Sequence, residues 1–460
     1  MEKIYQELKK IVGDQYVSNQ PEERFFYSRD GGTTEPCFPD FIVMPGSTEE
    51  VQKIVLLANE RKIPITPMGA ALVLSGLSRP LRGGIVVDMK RMDRILEVNE
   101  FSRFAVVEAG TSEGKLQAYL KKHHPSLKHS VPDAPPMATI GGNILIHGSG
   151  HLSALGGFHT EMLNGLEAVL PTGEIVRIGS CSVSPYWFSR APLPDLAGLF
   201  LGWAGTTGIA TKIAIKLYPD RPLNDIDIFV MEDADSVPDV IRRLSGTAVA
   251  EDITAIMTPV PEWASGFQMI NVIYGAESKR EQVLKRDLLR ESVKKYIKDK
   301  VGGFMPLYSD MKGRFMEAPA SQLVRFADVK KGGGFEYVGA IMPIEVFPDA
   351  YRKGLEIAER NGVTYSTGAR IIGLGHTMMF FYAYAFNRAD PIDVKKAQKA
   401  LEETNEAALT IGGIPWKAEV PAQQGIIRRM DPNTFKLMGR IRQTLDPNGI
   451  MNPGNWEVPS

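Results

Sequence analysis

Apolar positions along the first half of the chain alternate between two periods. Ile4, Leu8, Ile11 and Val12 share one helical face, which predicts a short amphipathic helix within residues 1–20. Phe41-Ile42-Val43-Met44 is a compact apolar run stopped by Pro45-Gly46 and reads as a buried strand. Ser47-Thr48-Glu49-Glu50 then opens a helix in which Val51, Ile54, Val55 and Ala58 repeat at helical spacing, with Ser47 and Glu50 placed as a capping box. Residues 63–66 and 84–89 read as the next strands, so the chain begins as a strand, helix, strand unit. A strand over 103–110, a helix over 112–122, a hairpin over 165–177 turning at Thr172-Gly173, and a strand over 211–217 follow. Tyr218-Pro219-Asp220-Arg221-Pro222 reads as a linker. Beyond it, helices are predicted over 237–244, 279–300, 348–360 and 392–409, and strands over 335–344 and 375–386.

Three stretches of small residues interrupt this pattern, each next to a strand. They are Pro67-Met68-Gly69-Ala70-Ala71-Leu72-Val73-Leu74-Ser75-Gly76, the run Pro132-Asp133 through Thr139-Ile140-Gly141-Gly142-Asn143 to Gly148, and Gly205-Thr206-Thr207-Gly208-Ile209. Glycine lets backbone N–H groups approach ligand oxygens, which is how phosphates are held without a cation. Any one stretch reads equally well as a structural turn; three of them at strand ends point to one extended ligand.

Composition narrows the chemistry. The chain has 460 residues, 43% hydrophobic and 23% charged, enough for two or three compact units at the usual ~150 residues each. A formal net charge of −1 gives no electrostatic reason to expect nucleic acid or an anionic membrane as partner. The apolar run around Met378-Met379-Phe380-Phe381 falls short of the ~20 residues that span a bilayer, and the N-terminus lacks the apolar stretch of a signal peptide, so a cytoplasmic location is expected. Cys37 and Cys181, neither in a CxxC pair, exclude a four-cysteine iron–sulfur cluster or a typical structural zinc. Redox chemistry here needs an organic cofactor.

The ordered set Pro45-Gly46-Ser47-Thr48-Glu49-Glu50-Val51, the loop after Pro67, Gly83-Gly84-Ile85-Val86-Val87-Asp88, Val107-Glu108-Ala109-Gly110, Ala138-Thr139-Ile140-Gly141-Gly142-Asn143 and Gly205-Thr206-Thr207-Gly208-Ile209 resembles the FAD-binding domain of the vanillyl-alcohol oxidase and p-cresol methylhydroxylase superfamily. Glycolate and D-lactate dehydrogenase flavoprotein subunits share that domain. Leu445-Asp446-Pro447-Asn448-Gly449-Ile450-Met451-Asn452-Pro453-Gly454 is similar to the superfamily's C-terminal signature. The resemblance implies an α+β protein: a two-subdomain FAD-binding domain over 1–220, an α+β cap carrying the substrate over 221–428, and a tail over 429–460 that returns to the first domain. FAD would lie on Pro67 to Val73 with Ser75, on Pro132, Asp133, Thr139 to Asn143 and Gly148, on Gly205, Gly208 and Ile209, and on Asn452. Family members usually carry consecutive glycines where this chain has Gly69-Ala70-Ala71; alanine is tolerated there while φ stays negative.

The resemblance also implies the chemistry. The hydroxy-acid dehydrogenase branch has paired metal-binding histidines, whereas Gly373-Leu374-Gly375-His376-Thr377 offers one, so no metal is expected. Gly412-Gly413-Ile414-Pro415-Trp416-Lys417 is more like the phenol-oxidising branch, where an aromatic and a basic residue hold a phenolate; Trp416 lacks the usual phenolic hydroxyl and Lys417 the fork of an arginine. Asp133 matches an acidic residue beside the flavin, and Arg370 and His376 are candidates for orienting substrate. Tyr382 and Tyr384 share one strand face, where core packing is the expected role. The expected activity is hydride removal from an alcohol, alkylphenol or 2-hydroxy acid onto FAD. Electrons then pass to dioxygen or to a separate iron–sulfur or cytochrome subunit in a homo- or hetero-oligomer. The alternative is a non-catalytic electron-transfer or assembly subunit; a reductase of nucleotide sugars fits the cap poorly.

Overall fold

The computed structural model describes residues 1–29, 33–73, 76–257, 266–307, 312–313, 316 and 333–457. Three large sheets organise them, beside a two-stranded ribbon in which Tyr218–Pro219, read from sequence as linker, pairs with Leu127–Lys128. The first has four strands in the order Val17–Ser18, Phe41–Val43, Ile85–Asp88, Ile65–Met68, parallel except at its first pair. Its helix Thr48–Arg61 forms as predicted: the Ser47 hydroxyl accepts from the Glu50 amide, while the Glu50 carboxylate reaches back to the Gly46 amide instead of that of Ser47. Val51, Ile54, Val55 and Ala58 are buried against Phe41, Ile65 and Ile85, and Leu8 and Val12 of the helix Glu2–Val12 close the same core.

The second sheet is antiparallel, in the order Ile95–Asn99, Phe104–Glu108, Ile209–Lys216, Leu163–Val169, Ile175–Gly179. The hairpin turns through Gly173, whose φ of 96° only glycine adopts readily. The stretch after Pro132 is not loop throughout: Ile140–Leu145 is a short helix, because the Thr139 hydroxyl accepts from the Gly142 amide.

The third sheet is antiparallel with eight strands, ordered Gly302–Phe304, Leu223–Met231, Gln268–Ala276, Asp252–Met257, Thr364–Ile372, Thr377–Asn387, Gly333–Met342, Ile414–Trp416. Its two faces differ. Even-numbered residues of Thr377–Asn387, including Phe380, Tyr382 and Tyr384, enter the largest core with Phe347, Ile357 and Ala400 of the helices Phe347–Asn361 and Pro391–Thr410. Odd-numbered Met379, Phe381 and Ala383 form a smaller cluster with Ile256, Tyr337, Ile341 and Trp416 on the opposite face. The helix predicted over 279–300 breaks into Lys279–Ser292 and Lys294–Lys298 at Val293. The C-terminal segment returns to the first sheet, where the Ile65 amide donates to the Ile450 carbonyl and the Asn452 amide to the Ile65 carbonyl, both at 2.7 Å. No helix of the described residues is long and apolar enough to cross a membrane.

Candidate functional site

A cleft, open at its mouth, runs between the first two sheets. Its walls are Pro67 to Val73, Ala138, Thr139, Gly141, Gly142 and Asn143, Gly205, Gly208 and Ile209, and Asn452. The three small-residue stretches and the C-terminal signature therefore meet at one place. The floor is tight. A Cβ on Gly141 would stand 2.6 Å from the Ala109 carbonyl oxygen, and one on Gly69 would clash with the Thr139 hydroxyl. Asn452 takes φ of 40°, which asparagine tolerates, and its side-chain Nδ2 donates to the Ala204 carbonyl at 2.6 Å. Thr207, between Gly205 and Gly208, has a buried hydroxyl with no partner among the described residues. Ala71 departs from expectation: its φ is 52°, a left-handed conformation that costs an L-residue about 1–2 kcal/mol.

Some residues expected in the cleft lie elsewhere. Ile140 is core beneath the floor, and Gly148 packs behind Asn143, whose carbonyl accepts its amide. Pro132 and Asp133 face a neighbouring cavity. Ser75 lies outside the described residues. Leu77, Ser78, Met89 and Ile146 line the cleft although nothing in their local sequence marked them. Replacing Gly141 by alanine forces the floor apart at backbone atoms that cannot yield. Gly141→Ala is expected to cost about 1–3 kcal/mol and to lower the bound flavin per chain, measured by absorbance after gel filtration.

The neighbouring cavity lies between the Pro132 loop and the odd-residue face of the large sheet. It shares Leu72, Ala134, Asn143 and Lys417 with the cleft. Tyr337, Met379, Phe381 and Trp416 give it an apolar, largely aromatic wall. Trp416 sits on the edge strand opposite Gly339, where a Cβ would stand 2.7 Å from its ring; the glycine makes room for it. The Trp416 indole N–H donates to the His147 carbonyl at 2.9 Å, and Lys417 Nζ lies 3.8 Å from the Trp416 ring centroid.

The polar end is an ion cluster. Arg370, 1% exposed, donates from Nη1 to Asp133 Oδ2 at 2.6 Å, and from Nε and Nη2 to the two oxygens of Asp252 at 2.9 Å. His151 Nε2 stands 3.7 Å from Asp133 Oδ1. Burial pushes the Asp133 carboxyl up, but the Arg370 charge and His151 outweigh it and hold the group well below the carboxylate range. Burial lowers Arg370, and the two carboxylates reverse that, so it stays protonated. Asp252 was not foreseen from sequence; it lies in a strand with no local signal. Met379 and Phe381 were legible as the face opposite Tyr382 and Tyr384.

Asn143 is fixed at the junction of cleft and cavity. Its Nδ2 contacts Glu113 Oε1 at 2.7 Å and His159 Nδ1 at 2.6 Å. Burial, then the charges of His129, Arg370 and Lys417, bring His159 down to about 3, so it is a neutral acceptor. His376 does not join the group. It is exposed at the turn between Thr364–Ile372 and Thr377–Asn387, where positive φ at Leu374 and Gly375 turns the chain away from the cavity.

A cleft of backbone and small side chains beside an apolar cavity with a buried charge cluster suits an extended organic cofactor with a second ligand next to it. Residues 39–179 match the FAD binding domain family and residues 324–456 the C-terminal domain of FAD linked oxidases. The chain is 26% identical over 447 residues to an uncharacterized FAD-linked oxidoreductase of Mycobacterium tuberculosis, covering 92% of each. It is 29% identical to the glycolate oxidase subunit GlcD of Bacillus subtilis, over 52% of this chain and 50% of that one. Among solved structures, 4-ethylphenol oxidase from Gulosibacter chungangensis superposes with a TM-score of 0.86 at 21% identity, covering 99% of this chain and 97% of that one, a likeness of fold. The chain belongs to the FAD-linked oxidoreductases of the p-cresol methylhydroxylase and vanillyl-alcohol oxidase superfamily, and its cofactor is FAD.

Proposed function

We propose that this chain removes a hydride from the carbinol or benzylic carbon of a small aryl alcohol or alkylphenol and passes the electrons to a separate acceptor, dioxygen or an iron–sulfur or cytochrome subunit. The observation that carries this reading is the cavity sharing Lys417 and Asn143 with the FAD cleft, aromatic along its walls and charged at one end. Residues 1–220 and 429–460 would hold the cofactor and 221–428 would cap it. Pro67 to Val73, Thr139, Gly141 to Asn143, Gly205, Gly208, Ile209 and Asn452 would line the bound FAD. When bound, FAD supplies a two-electron acceptor for the hydride.

The chain's own residues orient the carbon and stabilise charge. Phe381, Met379 and Trp416 hold an aryl ring and exclude water. The Lys417 ammonium stabilises an alkoxide or phenolate oxygen. Asp133, kept ionised by Arg370, accepts a hydrogen bond from a substrate hydroxyl and favours positive charge developing at the carbon as hydride leaves. Arg370 is a positioning residue, and Trp416 keeps its ring in place through the His147 carbonyl.

A second reading, oxidation of a 2-hydroxy acid, draws support from the likeness to GlcD, with Lys417 then meeting a carboxylate. Anaerobic mixing with a panel separates the readings. Bleaching of oxidised flavin by alkylphenols or aryl alcohols supports the first, and bleaching only by glycolate or D-lactate the second. Flavin that stays oxidised throughout points to a non-catalytic subunit. Lys417→Met is expected to weaken binding of an anionic substrate analogue about tenfold and to leave a neutral isostere nearly unaffected, as read by titration of the flavin spectrum.

A further inference from the structure

A second cavity lies on the far side of the wall that Trp416 and Lys417 build. Leu77, Ile146 and Ala204 line both it and the FAD cleft, and Trp416 and Lys417 line both it and the substrate cavity. The remaining wall is apolar at Phe158, Ile341, Ile414, Pro415, Ile426 and Trp456 and polar at Glu161 and Gln423. Two indole N–H groups fix it, that of Trp416 on the His147 carbonyl at 2.9 Å and that of Trp456 on the Gly202 carbonyl at 3.0 Å.

Two residues of this wall are held in left-handed backbone, His147 at φ 56° and Lys417 at φ 55°. Non-glycine residues keep such conformations where the surroundings impose them, and these cluster at ligand sites. The His147 ring is specified further. Its Nδ1 lies 3.2 Å from the Thr160 hydroxyl, whereas its Nε2 has no partner among the described residues. A Cβ on Gly202 would stand 2.8 Å from that Nε2, so the glycine leaves the nitrogen uncovered. Burial lowers His147, which is therefore neutral at pH 7. In the tautomer in which the Thr160 hydroxyl donates to Nδ1, Nε2 carries the proton and offers a directed donor to the cavity.

We propose that this cavity binds a small p-quinone, which reoxidises the reduced flavin in place of dioxygen or a protein subunit. It rests on the reading of the chain as a catalytic FAD-dependent oxidoreductase. A quinone is planar and apolar with a carbonyl oxygen at each end, which suits aromatic walls with the His147 ring and the Lys417 ammonium among the lining groups. The donor cavity carries the Asp133–Arg370 pair, and none of the residues lining this one belongs to that ion cluster; the two cavities meet at Trp416 and Lys417. The balance closes. The alcohol loses one C–H and one O–H bond, giving up two electrons and two protons as it becomes a carbonyl. The quinone takes up two electrons and two protons, forms two O–H bonds and leaves as the hydroquinone.

Equilibrium dialysis of the oxidised holoprotein against menadione tests the site without turnover. One saturable equivalent per chain is expected. Ile414→Trp changes a position 56% exposed, which the fold accommodates, and fills the cavity wall; His147→Phe removes the donor. Each is expected to weaken binding about tenfold. In a second measurement the flavin is photoreduced without substrate and mixed with menadione. Reoxidation should saturate with quinone concentration and slow in both variants. Absence of saturable binding, or binding that neither variant weakens, overturns the proposal. Because no alcohol enters either experiment, failure here is distinguishable from failure of the proposed substrate class.

Discussion

Replacing Arg370 by methionine should lower the unfolding free energy by about 3–5 kcal/mol at pH 7, the usual cost of leaving buried carboxylates without their cation. Arg370 is the shared partner of Asp133 and Asp252 and has almost no exposure to water that could substitute for it. The pH dependence identifies the cause. In the native chain Asp133 is held below its unfolded value of about 3.9, so its contribution is present above that pH and is lost as the pH falls through the folded value. Without Arg370 the burial that opposes ionisation dominates, the Asp133 carboxyl rises, and protonation on acidification relieves part of the penalty. The difference between variant and native chain should therefore shrink from pH 7 to pH 4, as measured by urea unfolding followed through tryptophan fluorescence. A small deficit that does not change with pH would show that the ion cluster is not what holds the sheet to the Pro132 loop.

The second large effect is on chemistry. Asp133→Asn keeps the shape of the side chain and an oxygen for Arg370 but removes the negative charge facing the substrate cavity. Flavin reduction in a single turnover is expected to slow about 10²–10³-fold, the range lost with a general acid or base or a charge-stabilising partner. Bound FAD per chain should stay unchanged, because Asp133 lines the side cavity and not the cleft. Stopped-flow absorbance with the best donor of the panel, together with flavin content, separates the two quantities. Loss of FAD together with rate would move Asp133 from the reacting carbon to the cofactor.

Much of the architecture was legible because it is written locally. The cap at Ser47, the turn at Gly173 and the alternation of Thr377–Asn387 depend on residues within a few positions of one another, and each formed where the pattern put it. The ion cluster was only half legible, since Arg370 reaches Asp252 across 118 positions and Asp133 across 237, and no local period encodes such a pairing. The helix Ile140–Leu145 was hidden for the opposite reason: two glycines disguise it, and only the Thr139 cap reveals where it begins. His376 drew notice as the lone histidine of a glycine-rich turn, yet positive φ at Leu374 and Gly375 sends it to the surface. The strands Leu223–Met231, Asp252–Met257 and Gln268–Ala276 went unread because their partners, not their own sequence, decide which face is buried.

The most direct test of the central claim is anaerobic mixing of the flavin-loaded protein with an alkylphenol or aryl alcohol, protiated or deuterated at the reacting carbon, while the oxidised flavin band is followed. Bleaching that slows on deuteration is the predicted result. A band that persists with every donor, in protein carrying one FAD per chain, would contradict hydride removal in this cavity.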